Sequence, residues 1–265
     1  MIYDLQKASM GKRISAFLFD MILVATVAVG IIWAIFSVMG GDRHSESCLA
    51  EYNAVLDKYQ AEYGIEDIRI SGQDKLALSE EDSARLDEAL AAVNDEIFKS
   101  ETFTAAFSEL IGAVAVSGIF GILIAFVLLE LVVPLIIGNG QTLGKKIFGI
   151  AVMFTSGIKI SPVGLFVRTV LGKYTVETMV PIFIIAFTFF GLLGITGTIV
   201  LALLLLFEAG LLIFNKSRPM IHDALAMTVC VDISSQLIFA NEEELLEYKK
   251  RVHAEAAERA AVYKD

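Results

Sequence analysis

Three long apolar runs dominate the chain, at residues 14–39, 110–137 and 180–214. A bilayer core takes roughly 20 consecutive apolar residues in a helix. The first two runs exceed that, and each predicts one transmembrane helix, over residues 13–39 and 110–137. The third run holds two short spans, residues 177–195 and 196–214, joined at "GLLGITG", a turn with no charge to keep it in water. A re-entrant hairpin fits the same residues, and the sequence leaves the two open. The first run is too long for a signal-peptide core of about 7–15 residues, so it reads as a retained span.

Between the first two spans the pattern changes to amphipathic. Residues 51–63 carry Val55, Leu56 and Tyr59 at helical spacing, with Gly64 as the stop. Residues 65–77 read as a loop. Ser79 then caps a second helix, with a carboxylate three residues on and Leu86, Leu90, Val93 and Ile97 on one face. Beyond the second span, "GNGQTLGKK" (138–146) is a glycine-rich basic turn, and residues 147–159 form a short hairpin or irregular segment. Ser161 and Pro162 open a helix through residue 173, read as interfacial because Arg168 and Lys173 share one side. Residues 241–265 predict a soluble amphipathic helix capped by Asn241. The expected fold is all-α and polytopic, in four parts: residues 1–39, 40–104, 105–232 and 233–265.

Composition agrees. Of 265 residues 56% are hydrophobic, above the roughly 45–50% of soluble domains. The net charge is −10, and residues 40–104 carry all of it, with 16 acidic and 6 basic groups. Basic residues near span ends mark the cytoplasmic side. Lys7, Lys12 and Arg13 precede the first span. Lys145, Lys146, Lys159, Arg168 and Lys173 lie between the second and third. Lys216 and Arg218 follow the fourth. Both termini are therefore expected in the cytoplasm, and the acidic helical hairpin outside. Cys48 and Cys230 fall far apart along this topology, so no disulfide is expected.

Buried charge supplies the candidate chemistry. Asp20 lies seven residues beyond Arg13, Glu130 eight before Gly138, and Glu208 seven before Asn215. At 1.5 Å per residue each sits roughly 10–12 Å below the inner surface. Three acids on three helices at one depth predict a wet, cytoplasm-facing pocket that binds a cation or proton. Lys145, Lys146, Arg218 and His222 would ring its mouth. Structural hydrogen bonding is the plainer use of each acid taken singly. Arg13 alone is an anchor to lipid phosphates, or else pairs across helices with Asp223. Glu177, at a span end, reads as solvated. The turn at 138–146 is not GxxxxGK[ST], so no nucleotide cradle is expected, and its lysines are placed at lipid headgroups. No nucleophile, metal or cofactor pattern points to an enzyme.

Three motifs, "RISAFLFD", "GQTLGKKIFGIAV" and "RPMIHDALAMTVCV", resemble the RDD family of bacterial membrane proteins. The arginine and two aspartates of the family name fall on Arg13, Asp20 and Asp223. The resemblance implies a multi-pass helical protein of the bacterial cytoplasmic membrane, in contact with lipids. Exchange of sodium-like cations for protons has been proposed for some relatives, and the resemblance implies it as an expectation here. Residues 40–104 exceed the family's usual short loop, and the C-terminal tail is extra. Two functions follow: an antiporter using Asp20, Glu130 and Glu208, or a non-transporting assembly, sensing or lipid-associated module. In the second, the outer hairpin meets an extracellular protein partner or a cation and the C-terminal helix a cytoplasmic partner, and a homo-oligomer is a further expected partnership. No nucleic-acid partner is expected.

Overall fold

In a computed structural model the chain is described over residues 5–69, 78–214 and 220–262. Nine helices and two strands occur among these residues. The order is α1 (Met10–Val38), α2 (Gly41–Glu62), α3 (Glu80–Lys99), α4 (Glu101–Ile137), α5 (Leu143–Ile147), β1 (Ile150–Phe154), α6 (Pro162–Phe189), α7 (Gly194–Phe214), α8 (Ile221–Leu225), β2 (Thr228–Asp232) and α9 (Glu242–Val262). Four of them, α1, α4, α6 and α7, are long and apolar enough to cross a membrane. The chain divides into two units, one of Met1–Ala28 with Ile122–Asp265, the other of Val29–Gly121.

The smaller unit holds the acidic hairpin. Val55, Leu56 and Ile68 pack on Leu86, Ala89, Val93 and Ile97, so α2 and α3 share a core of their own. Ser79 caps α3 as its sequence predicts, accepting from the Asp82 N–H at 3.1 Å. Glu96 accepts from Lys58 and from the Tyr59 hydroxyl, tying the helices at their rim. Two boundaries differ from expectation. Helix α2 begins at Gly41 rather than residue 51, because Gly40 turns in the left-handed region at φ 75° and lets a new helix start at once. Helix α4 begins at Glu101 rather than residue 110, and the extended Ser100 separates it from α3. The predicted loop reaches beyond the described residues over 70–77.

In the larger unit β1 and β2 pair antiparallel, Val152 opposite Cys230, although they are far apart in sequence. Residues 147–159 therefore supply a strand to a distant partner; within them, Met153 and Lys159 form an isolated bridge. The N-terminal lead joins the same sheet through Ala8 N–H to the Cys230 carbonyl, and Lys12 pairs with Asp232 at 2.6 Å. Ile150, Val152, Ile160, Leu165 and Ala16 form the core beneath it.

The interfacial helix expected over 161–173 is instead the first half of α6, which continues without a break to Phe189. Ser161 caps it and Pro162 opens it, as expected. It continues because its charges are neutralised within the protein rather than solvated. Its middle, Val167–Met179, is wound as a π-helix, and so is Val127–Val132 of α4. Such wide turns often mark functional sites. Both π segments precede prolines, Pro134 and Pro181, which have no N–H to return to the carbonyls of Glu130 and Glu177 four residues back. The Thr169 hydroxyl donates to the Glu130 carbonyl at 3.0 Å in compensation.

Candidate functional site

The first turns of α1 bury a stripe of Ala16, Asp20, Val24 and Ala28, one residue per turn. That spacing keeps one helix face against the larger unit. Asp20 Oδ1 accepts the Gly144 N–H at 2.8 Å, and Oδ2 accepts the Thr142 hydroxyl. Thr142 also caps α5 and accepts from Lys145 Nζ at 3.1 Å. A Cβ on Gly144 would lie 2.5 Å from the Ala16 carbonyl oxygen and 2.9 Å from Asp20 Cγ, so only glycine lets α5 approach α1 this closely.

Lys145 joins Asp20 to a second carboxylate. Its Nζ lies 3.7 Å from Asp20 Oδ2 and 4.0 Å from Glu130 Oε2. Glu130 is 1% exposed and pairs through Oε1 with Lys173. The Lys173 ammonium also sits 5.7 Å from the Phe17 ring centroid and 5.8 Å from that of Phe126. Glu130 Oε2 is buried and receives no hydrogen bond.

A third cluster surrounds Asp223 on α8. Its Oδ1 accepts from Arg168 Nε at 2.9 Å and from the Thr228 hydroxyl at 2.9 Å, and Arg13 lies 3.8 Å from Oδ2. Asp223 is 2% exposed and Arg168 3%. Burial alone would raise the Asp223 carboxyl, but the Arg168 guanidinium and Thr228 hold it well below the usual carboxylate range. His222 Nε2 accepts from Arg168 at 2.9 Å, while its Nδ1–H and backbone N–H donate to Glu177, both at 2.7 Å. Gly172 permits this packing, because a Cβ there would lie 2.6 Å from His222 Cβ.

A family model described as the RDD family matches residues 7–227. The chain belongs to the RDD family. No curated protein and no solved structure matches it. Arg13, Asp20 and Asp223, the residues on which the motif resemblance places the family's arginine and two aspartates, all lie in the larger unit of this RDD protein. Arg13 and Asp223 approach each other across helices, while Asp20 holds the turn into α5.

The carboxylates predicted to meet do so unequally. Asp20 and Glu130 share Lys145. Glu208 instead lines a cavity of about 460 Å³ together with Glu130, Glu177 and Lys173, and Asp20 is not on its wall. Of the expected mouth residues, Lys146 is exposed, while Lys145 and His222 are buried within the network, and Arg218 lies outside the described residues. Lys145 is thus drawn inward to carboxylates rather than outward to lipid. Two expectations are corrected outright. Glu177 is not a solvated end group but the acceptor for His222, with 12% of its side chain exposed. Arg168 and Lys173 are not surface charges but the cations that neutralise Asp223 and Glu130. One sequence signal could have found Glu177: "ELVVP" and "ETMVP" repeat Glu-x-x-Val-Pro, and both glutamates face the same cavity.

His222 gives this network a defined pH response. Burial and the Arg168 guanidinium push its imidazole below 6.5, and the opposing pull of Asp223 and Glu177 is smaller. The folded protein therefore keeps a neutral ring, while the unfolded chain takes up a proton near 6.5. Stability from this group is full above that pH and is lost as pH falls toward the folded value. Thermal unfolding measured from about pH 7 to about pH 5 should show a decline that His222→Gln flattens.

Proposed function

We propose that this RDD protein exchanges a monovalent cation for protons across the membrane, with Glu130 as the carboxylate that holds the cation. The observation that carries this is the buried Glu130–Lys173 pair on a cavity wall, whose other carboxylate oxygen receives no hydrogen bond and faces Lys145 only at 4.0 Å. An ammonium on a carboxylate can be displaced by another cation of the same charge. Displaced into a low-dielectric site, Lys173 releases its proton, and the charge beside Glu130 is conserved. Return of a proton to Lys173 expels the cation. Glu208 adds negative charge to the cavity, and Asp20 keeps Lys145 in place. The cavity opens to the cytoplasm in this scheme, and both termini lie on that side.

Proteoliposomes with an enclosed pH dye test this. Added sodium, lithium or potassium should dissipate an imposed pH gradient. Glu130→Gln should slow the response by about tenfold or more, the effect of losing one charged hydrogen bond. Sealed vesicles of folded protein with no cation-dependent change would overturn exchange. The second reading, a non-transporting assembly module, draws on the separate apolar core of the acidic hairpin unit. It predicts that deleting the hairpin itself, residues 41–99, leaves no flux to lose but abolishes a protein complex.

A further inference from the structure

We propose that the cavity of about 460 Å³ in the larger unit binds an amphipathic organic cation, one charged nitrogen on an apolar body. This assignment rests on the cation-binding reading of the same cavity and narrows its ligand class. Size is the first reason. The space far exceeds what one ion or one water needs, a water's share of the liquid being about 30 Å³. Wall chemistry is the second. Met21, Val24, Ala28, Ile122 and Phe126 line one part, so a bare ion would leave apolar surface against water.

Charge selects the sign. Glu130, Glu177 and Glu208 line the cavity with Lys173, and Lys145, which is not on its wall, approaches Glu130 Oε2 at 4.0 Å. Lys173 is engaged by Glu130, and Glu177 is engaged by the neutral His222. Among the described residues no cation pairs with Glu208. Glu130 Oε2 is buried without a donor. Phosphate headgroups and fatty acids are therefore repelled, and a cation is drawn in. The protein already holds one ammonium by the same means. Lys173 Nζ sits on a carboxylate between the faces of Phe17 and Phe126, and such an arrangement suits quaternary and protonated amines. A ligand nitrogen near Glu208 with its body along Met21, Val24 and Ala28 uses the rest of the cavity.

Equilibrium binding of radiolabelled benzyltrimethylammonium to the full chain in phosphatidylglycerol nanodiscs tests this. Saturable binding of one probe per chain is expected, displaced by dodecyltrimethylammonium and not by dodecyl sulfate. Glu208→Gln should weaken it about tenfold or more. Ala28→Phe should abolish it by filling the space. Thermal unfolding of both variants checks folding, and Glu208→Gln alone suffices if Ala28→Phe does not fold. Binding that does not saturate, or that Glu208→Gln leaves unchanged, overturns the proposal. So does a phospholipid retained by the wild type in native mass spectra with no probe bound. Sodium-driven exchange without probe binding sinks this inference alone. Saturable probe binding without exchange in vesicles sinks the transport reading alone.

Discussion

Arg168→Ala should destabilise the protein by about 3–5 kcal/mol, the usual result of stranding one partner of a buried ion pair. Asp223, 2% exposed, would keep the Thr228 hydroxyl and a more distant Arg13, but would lose its direct guanidinium. His222 Nε2 would lose its donor in the same step. Hydrogen bonds between membrane helices average only about 0.6 kcal/mol. That average describes neutral groups that find other partners, whereas a stranded charge in a dry site does not, so the larger figure governs. Two companions separate charge from volume. Arg168→Met with Asp223→Leu should recover most of the loss, because replacing a whole buried pair by apolar groups is often near neutral. Arg168→Lys should fall between, since an ammonium cannot reach Asp223 and His222 with the planar fork of a guanidinium. Thermal unfolding in nanodiscs reads all three. An Arg168→Ala variant as stable as wild type would show that the pair adds little.

The same pair explains why part of this fold was legible in the sequence and part was not. Apolar runs locate spans by length, and α1 and α4 emerged where expected. Caps are local too, so Ser79, Ser161 and Asn241 were readable. Arg168 and Lys173 were not. Their local pattern is that of a surface helix, and only residues far along the chain, Asp223 and Glu130, make them interior. Glu177 misled for the same reason, because its partner His222 lies on another element. Depth counting found the acids Asp20 and Glu130, but it weighed carboxylates without the lysine that bridges them. The β1–β2 pairing has no local signature beyond β-branched residues, and its register joins distant segments.

Gly144→Ala should be among the most damaging glycine-to-alanine changes among the described residues. Gly144 follows Thr142 in "GQTLGKK" and meets "RISAFLFD" of α1 at backbone distance. The added Cβ would fall 2.5 Å from the Ala16 carbonyl oxygen, which belongs to a helix backbone and cannot rotate away. Either α5 moves off α1 or α1 bends. Overpacking of this kind costs about 1–3 kcal/mol. Separation also breaks the Gly144 N–H bond to Asp20, a hydrogen bond to a charged group worth about 1.5–3 kcal/mol. Together about 2.5–6 kcal/mol is expected, with both terms counted once. Gly118→Ala in α4 meets nothing within 4 Å and should stay within about 1 kcal/mol of wild type. Asp20→Asn keeps the fit and an acceptor for Gly144 but removes the charge facing Lys145, so it should fall between the two. If Gly144→Ala unfolds no earlier than Gly118→Ala, close approach is not what the glycine provides. If Asp20→Asn is the worse of the two motif variants, the carboxylate charge, rather than the fit of α5 against α1, is what holds the two motifs together.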